Sequence, residues 1–307
     1  MWDYDAVIIG GGPAGLTAGI YLSRAKYRTL LIGKEGFGGN VKNVEWIENY
    51  PGFSAGVGGP QLASEMITQA ANFGLQMELA EVSEIEIYSG SRCVQLVDGR
   101  CLTASALIVA SGCHRKRLNV PGEHELVGKG VIECALCDGD QFQDKTVVVC
   151  GGGDSGLTEA LYMTKLASSV VLLEAMKSLT ASPILQERAR NNPKLEIRCN
   201  AKVTTILGGS HVEAMELEDM ATGHKDTLQV DGILVDIGMV PNTGFLKNVV
   251  PLDPRGYIRV NEKMETGVPY IYAAGDVRSG SSGQVVTGVN DGAVAAISIQ
   301  KLLQQES

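Results

Sequence analysis

Two short apolar runs set the frame of the chain. "AVII" at 6–9 and "VVVC" at 147–150 are each followed by a glycine cluster and then by apolar residues at helical spacing. That order predicts a buried strand, a tight turn and a helix, once near the N-terminus and once mid-chain. Other stretches alternate with period two. "EVSEIEIY" and the segment after it, ending in the buried run "ALIVASG", predict antiparallel strands inserted into the first half. "KVTTILGGSHVEAMELED" is their counterpart in the second half. Near the C-terminus "YIYAAGDVRSGSSGQVVTGVNDGAVAAISIQKLL" reads as strand, loop and long helix.

The glycine turns sharpen this pattern. Gly10, Gly12 and Gly15 follow G-x-G-x-x-G, and Gly151, Gly153 and Gly156 repeat the spacing. The first glycine permits the turn, the second lets backbone approach a pyrophosphate, and the third lets helix pack on strand. The anion would sit on the helix N-terminus, where free N–H groups and the dipole favour it. The two turns are roughly 140 residues apart, so each has its own parallel sheet. The expected fold is α/β: two Rossmann-like dinucleotide-binding domains, each a three-layer ββα arrangement, the second inserted into the first. Proline- and glycine-bearing hinges at 110–123 and 238–245 place the first domain at 1–113 and 245–307, and the second at 114–244. Arg115-Lys116-Arg117, within the first hinge, reads as solvated surface.

Acidic residues bear on what the turns could hold. The strand "RTLLIG" ends in Gly33, which displaces the expected ribose-binding acid to Glu35. "VVLLE" ends in Glu174, the signature position of a dinucleotide ribose. Asp276, just after the late strand, is placed to bond a ribityl or ribose hydroxyl; a plain turn aspartate is the alternative.

Composition narrows the class. Of 307 residues 44% are apolar, enough for a sizeable core, and the 38 glycines suit many tight turns. Against 26 basic residues stand 35 acidic ones, a net charge of −9, which argues against nucleic acid or an anionic membrane as partner. No apolar run approaches the ~20 residues of a membrane span. The chain enters a strand at once, so no signal peptide is expected and the expected location is cytoplasmic.

The seven cysteines, an odd number, argue against a disulfide framework. Cys93, Cys101 and Cys150 read as buried small hydrophobes. Cys134 and Cys137, in "GVIECALCDGD", differ. A zinc site needs a second ligand pair, and the histidines at 114, 124, 211 and 224 offer no such spacing. A redox dithiol fits best: one thiolate attacks a partner disulfide and the other resolves it. Asp138 beside them reads either as a proton shuttle for the leaving thiol or as a helix cap.

Together these parts resemble the low-molecular-weight thioredoxin reductases, essentially end to end. The resemblance rests on Gly38-Gly39, "IENYPGF" at 47–53, "ASG" at 110–112, "CALCDG" at 134–139, "GGGDS" at 151–155, "EALYMTKLAS" at 159–168, "GMVPNT" at 238–243 and "AAGDV" at 273–277. It implies FAD on the first domain, held at Gly10, Gly12, Pro13, Ala14, Gly15, Glu35, Gly39, Asn40, Asn49, Ala110, Ser111, Gly112, Gly275, Asp276, Gln284 and Val285. It places a second nucleotide-like site at Gly151, Gly153, Asp154, Ser155 and Glu174. It implies Cys137 facing the flavin, Cys134 exchanging with a thioredoxin-like or other dithiol/disulfide protein or small thiol, and a homodimer.

The departures are as informative. Members using NADPH carry H-R-R-x-x-x-R after the second strand, and those arginines bind the 2′-phosphate. The matching positions are Glu174, Ala175, Met176 and Thr180. Losing several charge-assisted bonds, each worth roughly 1.5–3 kcal/mol, and gaining a carboxylate make NADPH a poor ligand. Near the flavin, G-G-Q is Gly38-Gly39-Asn40 and R-Q is Gly283-Gln284. Glu174 suits a ribose with two free hydroxyls, in NADH or in the adenosine half of a second FAD. The pattern resembles the diflavin-linked disulfide oxidoreductase branch. An NADH- or ferredoxin-linked reductase with one FAD, and a non-catalytic flavin redox sensor, are the alternatives.

Overall fold

The structure, a computed structural model, describes residues 2–88, 90–132, 134–247 and 249–305. The chain divides into two compact units, 1–114 with 240–307, and 115–239.

The first unit is built on a seven-stranded sheet. Tyr4–Ile9 lies between Thr29–Gly33 and Cys101–Val109, all parallel, with Ile8 opposite both Leu31 and Ile108. Gln76–Leu79 and Ile271–Ala273 extend the parallel part. Val82–Tyr88 and Ser91–Leu96 join it as the antiparallel strands that the period-two pattern predicts. Side chains alternate between the faces, as the strand repeat requires. Ala6 and Ile8 face one cluster, with Leu16, Ile20 and Leu62 of the helices Pro13–Arg24 and Gly59–Asn72 and Ala295 and Ile299 of Val285–Gln305. Val7 and Ile9 face another, with Ile85, Val94, Leu246 and Ile258. Burial on both faces explains why "AVII" is an unbroken apolar run.

The second unit repeats the scheme. Five parallel strands run in the order Val131–Ile132, Gly232–Val235, Thr146–Cys150, Ser169–Glu174, Leu195–Cys199. Val147, Val149, Val170 and Leu172 face Leu157, Ala160, Met163 and Ala189 of the helices Asp154–Met163 and Pro183–Arg190. Val148, Cys150, Val171 and Leu173 face Val203, Met215 and Leu217 of a three-stranded antiparallel sheet. Each Val, Leu or Ile so buried contributes about 1.5–3 kcal/mol. Helices, parallel sheet and antiparallel sheet make the three-layer ββα arrangement.

Two sequence expectations need correction. Cys93 is buried as expected, but Cys101 is exposed, and the two form a cross-strand disulfide between Ser91–Leu96 and Cys101–Val109, with Cα atoms 5.7 Å apart. Strand pairing brought together cysteines whose sequence surroundings looked merely apolar. Cys150 is the inert buried thiol expected, pushed up to about 12 chiefly by burial. In the basic run, Lys116 and Arg117 are exposed, but Arg115 turns inward to an ion pair.

Candidate functional site

The two glycine turns are built alike. Gly10 has φ +117°, and a Cβ there would lie 2.1 Å from the Ala110 carbonyl oxygen; Gly151 has φ +127°, and its Cβ would lie 1.9 Å from the Asp236 carbonyl oxygen. Only glycine fits where a neighbouring strand end passes so close. A Cβ on Gly15 or Gly156 would stand 2.0 Å from the carbonyl oxygen of the first glycine, so each helix is seated on its own turn. The helix starting at Pro13 has Gly12 as N-cap and the one starting at Asp154 has Gly153, neither with a side-chain cap. The N–H groups of both first turns therefore donate no hydrogen bond to a capping side chain.

In the first unit Gly39, Ala110 and Gly275 of the predicted residues lie against this turn. Gly38 N–H donates to the Gly11 carbonyl (2.8 Å), which folds the loop carrying Gly39 over the turn. Gly39 Cα lies 3.8 Å from where a Cβ of Gly12 would be, and a Cβ on Gly39 would stand 2.8 Å from Gly12 Cα, so the loop approaches the turn as closely as glycines allow. Asn40 donates to the Cys113 carbonyl (3.1 Å), Asn49 donates to Gln284 Oε1 (2.9 Å), and Ser111 donates to the Asn242 carbonyl (2.8 Å). Ala110 and Gly112 flank Ser111 after the central strand, and Val285 opens the last helix. The Gly275 Cβ direction points at Ala14, 2.9 Å away. Asp276 accepts from Ser281 Oγ (3.0 Å), and burial pushes its carboxyl up from the usual range. Glu35 lies on the surface in the loop after Thr29–Gly33. A side-chain-free glycine turn, an uncapped helix start and a sequestered carboxylate fit a dinucleotide such as FAD.

The second turn is more filled. Glu174 Oε2 accepts from Gly152 N–H (2.7 Å) and Oε1 from Met176 N–H (2.9 Å). Thr180 N–H and Ala181 N–H donate to the Gly152 carbonyl (2.9 and 3.1 Å), and Ser182 N–H donates to Asp154 Oδ1 (2.5 Å). The segment 174–182 is thus tied to the glycine loop and to the start of its helix. Ser155 lies beside Asp154 in the first turn of the helix. A carboxylate has about four lone-pair directions, so Glu174 keeps capacity for ribose hydroxyls.

The dithiol stands in the same unit. Cys134 and Cys137 are joined, with Cα atoms 5.3 Å apart, at the short helix Ala135–Asp138. Cys134 is the N-cap, and its sulfur accepts from Cys137 N–H (3.1 Å). That bond would stabilise a thiolate at Cys134 once the disulfide opens. Cys134 is buried, 7% exposed, whereas Cys137 and Asp138 lie at the surface. Ala135 N–H donates to Glu159 Oε2 (3.0 Å).

Two groups of residues escape the sequence patterns. Asp291, 1% exposed in the last helix, pairs with Arg278 and accepts from Gly275 N–H (3.1 Å), fixing the Gly275-Asp276 turn from behind. A lone carboxylate in an apolar helix was the signal. Arg115, Glu159 and Asp236 form a buried ionic cluster behind the dithiol; their wide separation in sequence leaves no local signal.

Among the described residues, no helix is long and apolar enough to cross a membrane. The family model described as "Pyridine nucleotide-disulphide oxidoreductase" matches residues 4–292. A thioredoxin reductase of Bacillus subtilis (strain 168) is 40% identical over 303 residues, 98% of this chain and 95% of its own length. The crystal structure of Lactococcus lactis thioredoxin reductase superposes with a TM-score of 0.96 at 33% identity, covering 99% of this chain and all of that one. A ferredoxin-flavin thioredoxin reductase from Clostridium acetobutylicum matches at 28% identity and a TM-score of 0.53, over 98% of each chain. With two glycine turns on two parallel sheets and a C-x-x-C in the second unit, the chain belongs to the pyridine nucleotide-disulphide oxidoreductase family, among its low-molecular-weight thioredoxin reductases.

Proposed function

We propose that this protein is an FAD-dependent disulfide oxidoreductase that exchanges electrons between flavin and the Cys134–Cys137 disulfide without drawing them from NADPH. The observation that carries this reading is Glu174, whose carboxylate stands where a 2′-phosphate would lie and is held there by Gly152 and Met176. A second FAD on the second glycine turn is the favoured partner of the first; NADH fits the same carboxylate. The likeness to a ferredoxin-flavin enzyme supports a donor other than a nicotinamide with a single FAD. The protein is read as a cytoplasmic homodimer acting on a thioredoxin-like protein or a small thiol.

FAD, held in the first unit, supplies a reversible two-electron store. Opening the Cys134–Cys137 bond takes up two electrons and one proton and leaves Cys134 as the thiolate and Cys137 as the thiol. The Cys134 thiolate, steadied by Cys137 N–H, then attacks a partner disulfide and displaces one partner sulfur as thiolate. Cys137 attacks the mixed disulfide, releases the partner as a dithiol and restores the starting bond. Asp138, exposed beside Cys137, is placed to deliver a proton to the leaving sulfur. Burial of Cys134 means its surroundings must open for the exchange. Run backwards, the same steps carry electrons from a dithiol to flavin.

The test is an anaerobic spectral titration of the purified holoprotein with its flavin counted per chain. Two flavins that stay oxidised in excess NADPH and NADH but bleach with a dithiol are expected. One flavin bleached by micromolar NADPH overturns the reading.

A further inference from the structure

Behind the dithiol lies a charged cluster that the exchange steps above do not use. Arg115 Nη2 pairs with Glu159 Oε1, and Arg115 Nη1 lies 3.5 Å from Asp236 Oδ2. The side chains are 21%, 12% and 6% exposed for Arg115, Glu159 and Asp236. Arg115 Nη1 and Asp236 Oδ2 are buried without a hydrogen bond of their own. Two carboxylates share one guanidinium, so the cluster carries one negative charge in excess when all three are ionised. Such a group is costly to bury unless its charges are well paired and hydrogen-bonded. It reaches the redox helix through the bond from Ala135 N–H to the second oxygen of Glu159, one residue from Cys134.

We infer that Glu159 is a positioning residue for the dithiol: it fixes the start of the redox helix, and its negative charge biases Cys134–Cys137 towards the disulfide. The electrostatic reason is direct. The disulfide is neutral and the reduced pair carries a thiolate, so a nearby carboxylate raises the free energy of the reduced form. Arg115 offsets part of that charge and Asp236 adds to it. Glu159 itself is pushed up from the usual carboxylate range, first by burial and further by Asp236, while Arg115 and the Ala135 N–H oppose the rise. Lowering the pH through its titration therefore removes the charge and the bias with it. Among the described residues, the charged groups acting on Glu159 are Arg115 and Asp236.

The inference rests on the reading of Cys134–Cys137 as the exchanging pair, and one experiment separates the two. Holoprotein is equilibrated anaerobically with dithiothreitol buffers at several pH values. Thiols are then alkylated and the Cys134–Cys137 peptide is quantified by mass spectrometry. Glu159→Gln keeps an oxygen for Ala135 N–H and removes only the charge. Its dithiol should be favoured roughly tenfold over wild type at neutral and alkaline pH, equivalent to ~30 mV, and the two should converge at acid pH. Asp236→Asn, which leaves Glu159 and its bond in place, should shift the balance in the same direction by less. The Cys93–Cys101 peptide, in the other unit, should not move. No shift in either variant, or a shift of equal size at every pH, overturns the inference. If the wild-type Cys134–Cys137 bond resists dithiothreitol altogether, it is the exchange reading that fails.

Discussion

Asp276 shows how a single buried carboxyl can act at a cost to the fold. Burial raises its carboxyl, the nearby Asp291 charge adds to the rise, and Ser281 and Arg278 oppose it. The folded chain thus keeps the proton over a pH interval in which the unfolded chain, with a pKa of about 3.9, has lost it. Stability is greatest below that interval and falls as pH rises through the raised value. Asp276→Asn removes this loss, and Ser281 can donate to the amide oxygen as it does to the acid. The flavin-free variant should therefore melt above wild type near neutral pH, with the gap closing towards about pH 4, while its flavin dissociates more readily. Equal melting temperatures across that range would mean the buried carboxyl is not strained. Glu174 shows the complementary case. Its place at a strand end was plain from "VVLLE", but its bonds to Gly152 and Met176 were not. They depend on how the loop to Ser182 folds back, which no local pattern encodes.

At the scale of elements, the parts read best from the sequence were those with a local cause. Both strand–turn–helix units were legible because an apolar run, a positive-φ glycine and a helical repeat lie within about 20 residues of one another. The antiparallel strands were legible from period two. The pairing of Cys93 with Cys101 was missed because it depends on strand register, and the Arg115 cluster because its members come from three separate elements. The last helix illustrates both kinds of information. Its apolar face was evident; that Asp291 on that face locks the Gly275-Asp276 turn through Arg278 was not. Asp291→Asn keeps an acceptor for Gly275 N–H but leaves the guanidinium, 17% exposed, without its charge partner. Breaking a buried pair in this way costs about 3–5 kcal/mol. Denaturant unfolding of the flavin-free protein should show a loss in that range, together with weaker flavin retention. A loss under about 1 kcal/mol would assign Arg278 to solvent, since surface pairs contribute no more than that.

At the scale of the whole molecule, the four apolar clusters obey the division into units. Two are drawn only from residues before 115 or after 239, and two only from residues between. The ends of each piece are also tied within that piece. Lys116 N–H donates to the Gly238 carbonyl (2.8 Å) in the inserted unit, and Asn242 N–H donates to the Gly112 carbonyl (3.0 Å) in the other. A segment with its own core on both faces of its sheet and its ends side by side meets the requirements for folding alone. Residues 115–239, expressed as a continuous piece, should therefore unfold in a single cooperative transition. The peptide should reduce and reoxidise Cys134–Cys137 in a dithiothreitol buffer. Joining residue 114 to residue 240 through a short glycine linker should give the complementary piece, and that piece should bind FAD. Whether the inserted piece is yellow then decides between one flavin and two. Colour in both pieces supports the diflavin reading, and colour in the joined piece alone supports a single FAD served by another donor. A 115–239 fragment without a cooperative transition would show that its core depends on contacts outside it, contrary to the separation of the apolar clusters.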